Sequence, residues 1–469
     1  MLTRLEVSGF KNLVDFEVEF GPYTCIAGPN GSGKSNIFDS ISLLSLLADM
    51  PLMEAAQRVR ATEGRGGDAR ALFWTDGQVR AESMRLAAEM IVPSSVTDDF
   101  GRQATASTTF LRYELELRYE EPSGLASLGR LVLLKEELRH IKKGEAADHL
   151  GWPHRKKSFR DHVVTGRRSG VAFISTIDVG GKRTIQVHQD GGSRGQPRPS
   201  PAETAPRTIV STTSTSADPT ILAARREFQS WRTLALEPTS MRSPDPFDAP
   251  SSLSPDGAHL AAAVYRLAMK ASDAGEMPED VYSRLAARAS ALTDVRETRV
   301  DRDDRRQVLT LEARVAGGGF LPARALSDGT LRFLALCTLD IDPDVTGLIC
   351  MEEPENGIHP ARMPAMVELV RGLAVDPTEQ PGPDNPMRQV IVNTHSPGFV
   401  QLQHRNDLLC ATAASVRANG NFARDAVRLL PLKGSWRATG KESAITVADI
   451  VAYLTAQPDA QLTVDFAAT

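Results

Sequence analysis

The residues with the most explicit chemical pattern are Gly28-Pro29-Asn30-Gly31-Ser32-Gly33-Lys34-Ser35. Their spacing, G-x-x-x-x-G-K-S, is that of a loop that wraps the phosphates of a nucleoside triphosphate. Its glycines let backbone N–H groups turn inward on phosphate oxygens. A helix starting at the loop adds its positive end. Lys34 would reach the β- and γ-phosphates, and the Ser35 hydroxyl would ligate Mg²⁺. Asn30, Gly31, Ser32, Gly33 and Asn36 would supply the rest of the cradle. The context fits: residues 23–27 read as a short buried strand, and residues 36–44 carry apolar side chains at helical spacing.

Three further stretches suit the same chemistry. Leu348-Ile349-Cys350-Met351-Glu352-Glu353 is an apolar run that ends in two carboxylates. It predicts a buried strand of a parallel sheet, with the carboxylates at its C-terminal edge beside the phosphate loop. Glu352 could hold the Mg²⁺ shell, and Glu353 could polarise an attacking water. A charged strand end without chemistry would read the same. Gln389-Val390-Ile391-Val392-Asn393-Thr394-His395-Ser396-Pro397 is a second buried strand with a polar tip. His395 there could hydrogen-bond a γ-phosphate or the catalytic water, or serve as a structural histidine. Finally, Ser327, Asp328 and Gly329 precede a helix over 331–339. They could form a second phosphate cradle or a plain cap by Ser327 or Asp328.

Elements must hold these groups together. Residues 2–10 and 13–20 alternate apolar and polar, which predicts a hairpin turned by Lys11-Asn12. Strands are expected at 83–92, 110–119 and 131–138, and a hairpin at 171–177 with 184–188 across Gly180-Gly181. The stretch 190–219 is rich in Gly, Pro, Ser and Thr and reads as a mobile loop. Helices are expected at 221–234, from Ser254-Pro255-Asp256-Gly257 to about residue 272, and at 278–292. Strands follow at 295–302 and 307–315, and a last helix at 445–454. There is no fixed-period repeat and no sustained heptad.

The 469 residues leave room for several domains. The net charge of −5 gives no global signature of nucleic-acid binding, so any such surface must be local. Cys25, Cys337, Cys350 and Cys410 are dispersed without metal-ligand spacing and read as reduced core residues. No apolar run approaches a membrane span, and the N-terminus has no signal-peptide pattern. A cytoplasmic protein without a membrane partner is expected.

Taken in order, the phosphate loop, Leu-Ser-Asp-Gly-Thr, the strand ending Glu-Glu-Pro-Glu-Asn-Gly-Ile-His-Pro and Asn-Thr-His-Ser-Pro resemble the ABC-type ATPase heads of the RecF, SMC and OLD group. Within it they resemble the compact AAA family ATPases common in bacterial anti-phage defence loci. Gly33-Lys34-Ser35-Asn36 and Ser254-Pro255-Asp256-Gly257-Ala258-His259-Leu260 are similar to that subgroup. The resemblance covers residues 1–48 and 250–402. It implies an α/β P-loop head with a mixed central sheet, an N-terminal antiparallel β subdomain and a helical lobe bearing the signature loop. Residues 1–190 would form the nucleotide-binding lobe, 191–220 the mobile loop, 221–330 the helical lobe and 331–469 the catalytic lobe.

The resemblance also implies roles. Ser327, Asp328 and Gly329 become the signature loop, which reads the γ-phosphate bound to another subunit. Glu353 becomes the catalytic base, Glu355 and Asn356 part of the loop that follows, and His395 the switch histidine. The metal-side residue is Glu352 where the group usually has Asp, and Gln78 is the candidate for the lid glutamine. ATP and Mg²⁺ are the implied cofactors, and a homodimer or higher oligomer joined through ATP the implied assembly. OLD-type relatives add a C-terminal Toprim nuclease, and the stretch after His395 is too short for one. A separate nuclease partner is therefore expected. The alternatives are a stand-alone DNA repair or recombination ATPase and an ATP-dependent scaffold with little turnover. A basic stretch, His154-Arg155-Lys156-Lys157-Ser158-Phe159-Arg160 with Arg167-Arg168, could grip DNA phosphates or be a solvated loop.

Overall fold

Alternation in residues 2–19 gives the expected hairpin. Leu2–Ser8 pairs antiparallel with Phe16–Glu19, Arg4 opposite Glu19 and Val7 opposite Phe16. Leu2, Leu5, Val7, Phe16 and Val18 are buried on the face they share. The hairpin closes one edge of an eight-stranded antiparallel sheet. Beyond Leu2–Ser8 come Ser83–Ile91, Phe110–Glu120, Arg130–His140, Ile174–Val179, Lys182–Val187 and Arg198–Pro201. Its outer face carries cross-strand ion pairs: Arg112 holds Glu6 at 2.6 and 2.8 Å, and Lys135 holds Glu114 at 2.6 Å.

The computed structural model describes residues 1–59, 67–122, 129–166, 170–190, 196–418, 421–438 and 444–455. They divide into two compact units. One comprises 1–231, 376–381 and 405–469, the other 232–375 and 382–404. This division differs from the four consecutive segments expected.

The stretch expected as a mobile loop is ordered over its described part. Arg198–Pro201 is an edge strand on Lys182–Val187, and Ile209–Thr212 is a helical turn capped by Thr208. The reason is a buried carboxylate. Glu136, on the strand Arg130–His140, accepts from Ile209 N at 2.7 Å, Val210 N at 3.1 Å and Tyr113 Oη at 3.2 Å. It answers the N–H groups that a helix start leaves unpaired. Burial pushes the Glu136 carboxyl up to about 7, against the pull of those donors. The folded chain therefore keeps a proton that the unfolded chain releases above its ordinary value of 4.5. Stability from this group falls as pH rises through that window. We expect Glu136→Gln to flatten the fall in urea midpoint between about pH 5 and about pH 7. An unchanged pH profile in the variant would refute the assignment.

The first unit also holds Tyr23–Ala27, buried throughout. It pairs in parallel with Leu408–Ala418, which pairs antiparallel with Asn421–Pro431. The last described helix is Val447–Thr455. In the second unit, Gly347–Glu352 lies between Arg388–Thr394 and Arg232–Leu234, all parallel. Burial explains the unbroken apolar runs of Gly347–Glu352 and Arg388–Thr394. Arg232–Leu234 was expected as the end of a helix. The helix in fact stops at Gln229 and belongs to the first unit. Leu260–Asp273 and Pro278–Ser290 are the expected helices of this lobe, and Asp328–Ile341 follows an antiparallel sheet of Val295–Asp303, Val308–Val315 and Phe320–Pro322. Among the described residues no helix is long and apolar enough to cross a membrane.

Candidate nucleotide site

The phosphate loop is built from strand Tyr23–Ala27, turn 28–33 and helix Lys34–Leu47. Gly31 and Gly33 adopt φ of +79° and +91°, the left-handed region open to glycine. A Cβ on Gly28 would stand 2.9 Å from Ala411 O, so the loop start tolerates no side chain. A Cβ on Gly33 would meet Asn12 Nδ2 at 2.2 Å. Asn12 is the turn of the N-terminal hairpin; it also accepts from Asn36 Nδ2 at 2.8 Å, while Lys11 pairs with Asp39 at 2.6 Å. The hairpin thus braces the loop helix from below its first turn.

What this loop offers is anion binding. The helix has no side-chain cap, and Asn36 N donates to Gly33 O at 3.0 Å; a helix start of this kind is where an anion is bound. Among the described residues the buried Ser32 hydroxyl has no hydrogen-bond partner. Among the described residues, apart from its chain neighbours, nothing lies within 4 Å of where a Cβ on Gly31 would stand. Lys34, 6% exposed, donates through its ammonium to Gly28 O at 2.7 Å and Pro29 O at 2.8 Å. Asn30 is exposed, and Ser35 and Asn36 are half-buried. These residues fit a triphosphate.

In the second unit, Glu352 ends the strand Gly347–Glu352 and Glu353 starts the turn. Glu353 has φ +44°, a conformation that a glutamate adopts only under constraint. The constraint is visible: its N–H donates to Asn393 O at 3.1 Å and Asn393 Oδ1 at 3.2 Å. Its carboxylate is held at both oxygens, by Asn356 Nδ2 at 2.8 Å and by His395 Nδ1 at 2.5 Å. A carboxylate only accepts, so His395 Nδ1 carries the proton and Nε2 remains for another partner. His395 sits just past the strand Arg388–Thr394. Glu355, behind this pair, bonds to Thr394 Oγ1, and burial holds its carboxyl above the ordinary range. Glu352, Glu353 and Asn356 line a cavity of about 180 Å³ with Glu237 and Arg332.

Ser327 caps the helix Asp328–Ile341. Its Oγ accepts from Thr330 N at 3.2 Å and meets Thr330 Oγ1 at 2.8 Å. The N–H groups of Asp328 and Gly329 have no acceptor among the described residues. A Cβ on Gly329 would find only ordinary contacts, at 3.6 Å from Gly357 O and 3.7 Å from Ile358 Cδ1. The fold itself thus does not require glycine there.

The structure brings Glu353 and His395 together and gathers Asn30 to Asn36 in one loop. Lys34 and Ser35 lie in the first unit; Glu352, Glu353, His395 and the signature residues lie in the second. Gln78 is exposed in a turn, its N–H donating to Asp76 at 2.9 Å. The four cysteines are free and buried. Among the described residues no cluster of three or more His, Cys, Asp or Glu suits a metal. Arg167 and Arg168 lie outside the described residues. Sequence reasoning missed Asn12 and Glu237, neither of which stands in a motif.

A family model described as "AAA domain, putative AbiEii toxin, Type IV TA system" matches residues 242–401, and one described as "AAA domain" matches residues 4–51. An OLD nuclease of Thermus scotoductus is 48% identical over 44 residues, 9% of this chain and 8% of that protein. The DNA replication and repair protein RecF of Magnetococcus marinus is 47% identical over 45 residues, 9% of this chain and 12% of that protein. The chain thus aligns with only a small part of these relatives' own length. The crystal structure of the SMC head bound to the C-winged helix domain of ScpA aligns over 92% of this chain and 98% of that chain, at 14% identity and a TM-score of 0.47. The chain carries AAA-domain segments at residues 4–51 and 242–401 and shares short stretches with an OLD nuclease and with RecF.

Proposed function

We propose that this protein binds and hydrolyses ATP, pairs with a second copy through the bound nucleotide, and acts as the cytoplasmic ATPase subunit of a bacterial anti-phage defence complex whose nuclease is a separate protein. The observation that carries the hydrolytic part is Glu353, turned into a left-handed conformation and clamped at both carboxylate oxygens by His395 and Asn356. A base must be held where a water can reach it. Two hydrogen bonds fix this carboxylate while leaving lone pairs for that water. Lys34 and the loop N–H groups hold the phosphates. Ser35 and Glu352 are the residues that would hold Mg²⁺. When bound, Mg²⁺ supplies charge neutralisation on the β- and γ-phosphates. His395, with Nε2 uncommitted, senses the γ-phosphate or orients the water. Ser327, Asp328 and Gly329 read the γ-phosphate carried by the other copy. ATP joins two copies and hydrolysis releases them, through the difference in affinity between the two nucleotide states.

The defence assignment is supported by the toxin–antitoxin family description and by the short stretch shared with an OLD nuclease. Direct action on DNA is the second reading. It is favoured by an open cleft of about 410 Å³ lined by Lys143, Lys156 and Arg160, three cations beside one carboxylate, Asp161, with which none of them forms an ion pair among the described residues. One experiment separates the readings. ATP turnover of the purified protein is measured with and without duplex DNA, beside affinity capture from the native host with ATP. Turnover indifferent to DNA with a co-captured nuclease supports the first reading. DNA-stimulated turnover without such a partner supports the second, and no turnover under either condition overturns both.

A further inference from the structure

The signature loop contains a charge conflict. Asp328 is an exposed carboxylate in the first turn of the helix Asp328–Ile341. A carboxylate there is favourable for the free helix, whose N-terminus is positive. It is unfavourable for a loop meant to receive a phosphate, because the two anions compete for the same donors and repel each other. The unpaired N–H groups of Asp328 and Gly329 are the donors in question.

Arg242 resolves the conflict. Its Nη2 donates to Asp328 Oδ1 at 2.5 Å and to Leu326 O at 3.1 Å. One guanidinium nitrogen thus grips both the acid and the backbone that leads into the helix. Nε and Nη1 have no partner among the described residues. Arg242 is itself held in place. It ends the short helix Pro238–Met241, and the segment before that helix is bonded to the turn after Ser254: Ala235 N donates to Pro255 O at 2.9 Å and Glu237 N to Asp256 O at 2.8 Å. Gly257, at φ +87°, lets Met241 approach where a Cβ would stand 2.7 Å from Met241 Cγ. The motif at 254–260 thus seats the segment that delivers Arg242.

We propose that Arg242 is the positioning residue of the signature loop, neutralising Asp328 so that the loop accepts the terminal phosphate of a nucleotide carried by a second copy of this chain. The proposal rests on the ATP-joined pair set out under Proposed function.

The test uses the full chain with Glu353→Gln as background and light scattering with ATP as readout. To it are added Arg242→Ala, Asp328→Asn and the two together. Arg242→Ala should raise the ATP concentration needed for half-maximal association by about tenfold, the worth of one uncompensated close charge. Asp328→Asn alone should lower it, because the guanidinium then faces the phosphate without the repelling carboxylate. The double variant should recover most of the loss, because without the carboxylate there is nothing to neutralise. A merely structural Arg242 would leave the double variant as weak as Arg242→Ala, and that outcome overturns the proposal. So does association of Arg242→Ala equal to its parent. If the Glu353→Gln parent itself never associates with ATP, the ATP-joined pair falls and this proposal with it.

Discussion

Glu353→Gln should abolish steady-state ATP turnover while leaving ATP binding intact, and should trap the protein in an ATP-bound pair. The expected fall in kcat is about 10² to 10⁴-fold, the usual worth of a positioned general base. The substitution keeps volume and an acceptor oxygen, so Asn356 retains its partner, while His395 shifts its proton to Nε2 and accepts from the amide N–H at Nδ1. The bonds from Glu353 N to Asn393 are backbone-based and survive as well. The variant should therefore fold as the parent does and keep its left-handed turn. What it loses is a base, since an amide cannot take a proton from water at neutral pH. Phosphate release after rapid mixing, together with light scattering in ATP, checks both halves. Turnover within a factor of about two of the parent would remove Glu353 from the chemistry. Loss of nucleotide binding alongside turnover would instead mark it as a ligand contact. Arg242 and Gly329 then become testable, because the trapped pair isolates association from hydrolysis.

The nucleotide loop was legible because its parts are local. Strand, turn and helix fall within residues 23–47, and the turn demands glycine at φ values that other residues avoid. The strands before Glu353 and His395 were legible because burial on both faces writes an unbroken apolar run. Other features were hidden for physical reasons. Leu408–Ala418 and Asn421–Pro431 were not expected as strands, since their alanines have weak strand preference and their partners lie far off in sequence: Cys25 faces Leu408. Arg232–Leu234 is only three residues and looks like the tail of a helix. The stretch around 198–212 has loop composition, yet Glu136 and Thr208 satisfy its turn and order it. The conformation of Glu353 is illegible in principle, because no preference of glutamate announces it. Arg242 belongs to the same class. Its acid lies 86 residues on, and nothing local marks the pair.

Lys34→Ala should do what no other single change does: remove triphosphate affinity without touching the catalytic carboxylate. Lys34 is nearly buried, and its ammonium is held by two carbonyls of the loop it serves, Gly28 O and Pro29 O. Those carbonyls are weak substitutes for phosphate oxygens, so an arriving triphosphate meets a cation already desolvated and aimed within the loop. Removing it leaves the loop without the cation that faces the phosphates. The expected loss is at least about a hundredfold in Kd for ATP, within the range for deleting one partner of a buried charge pair. Lys34→Arg should rescue little, because a planar guanidinium needs more room than a compact ammonium. The check is thermal. Ligand bound only to the folded state stabilises it by RT ln(1 + [L]/Kd), so the ATP-induced rise in Tm of the parent should vanish in Lys34→Ala at the same ATP concentration. The loop's own carbonyls would be left without the ammonium, so the Tm without nucleotide should change by much less than the ATP-induced rise that is lost. An ATP-dependent rise that persists undiminished would mean that the nucleotide sits elsewhere, and that the Gly28 loop is a turn and not a phosphate site.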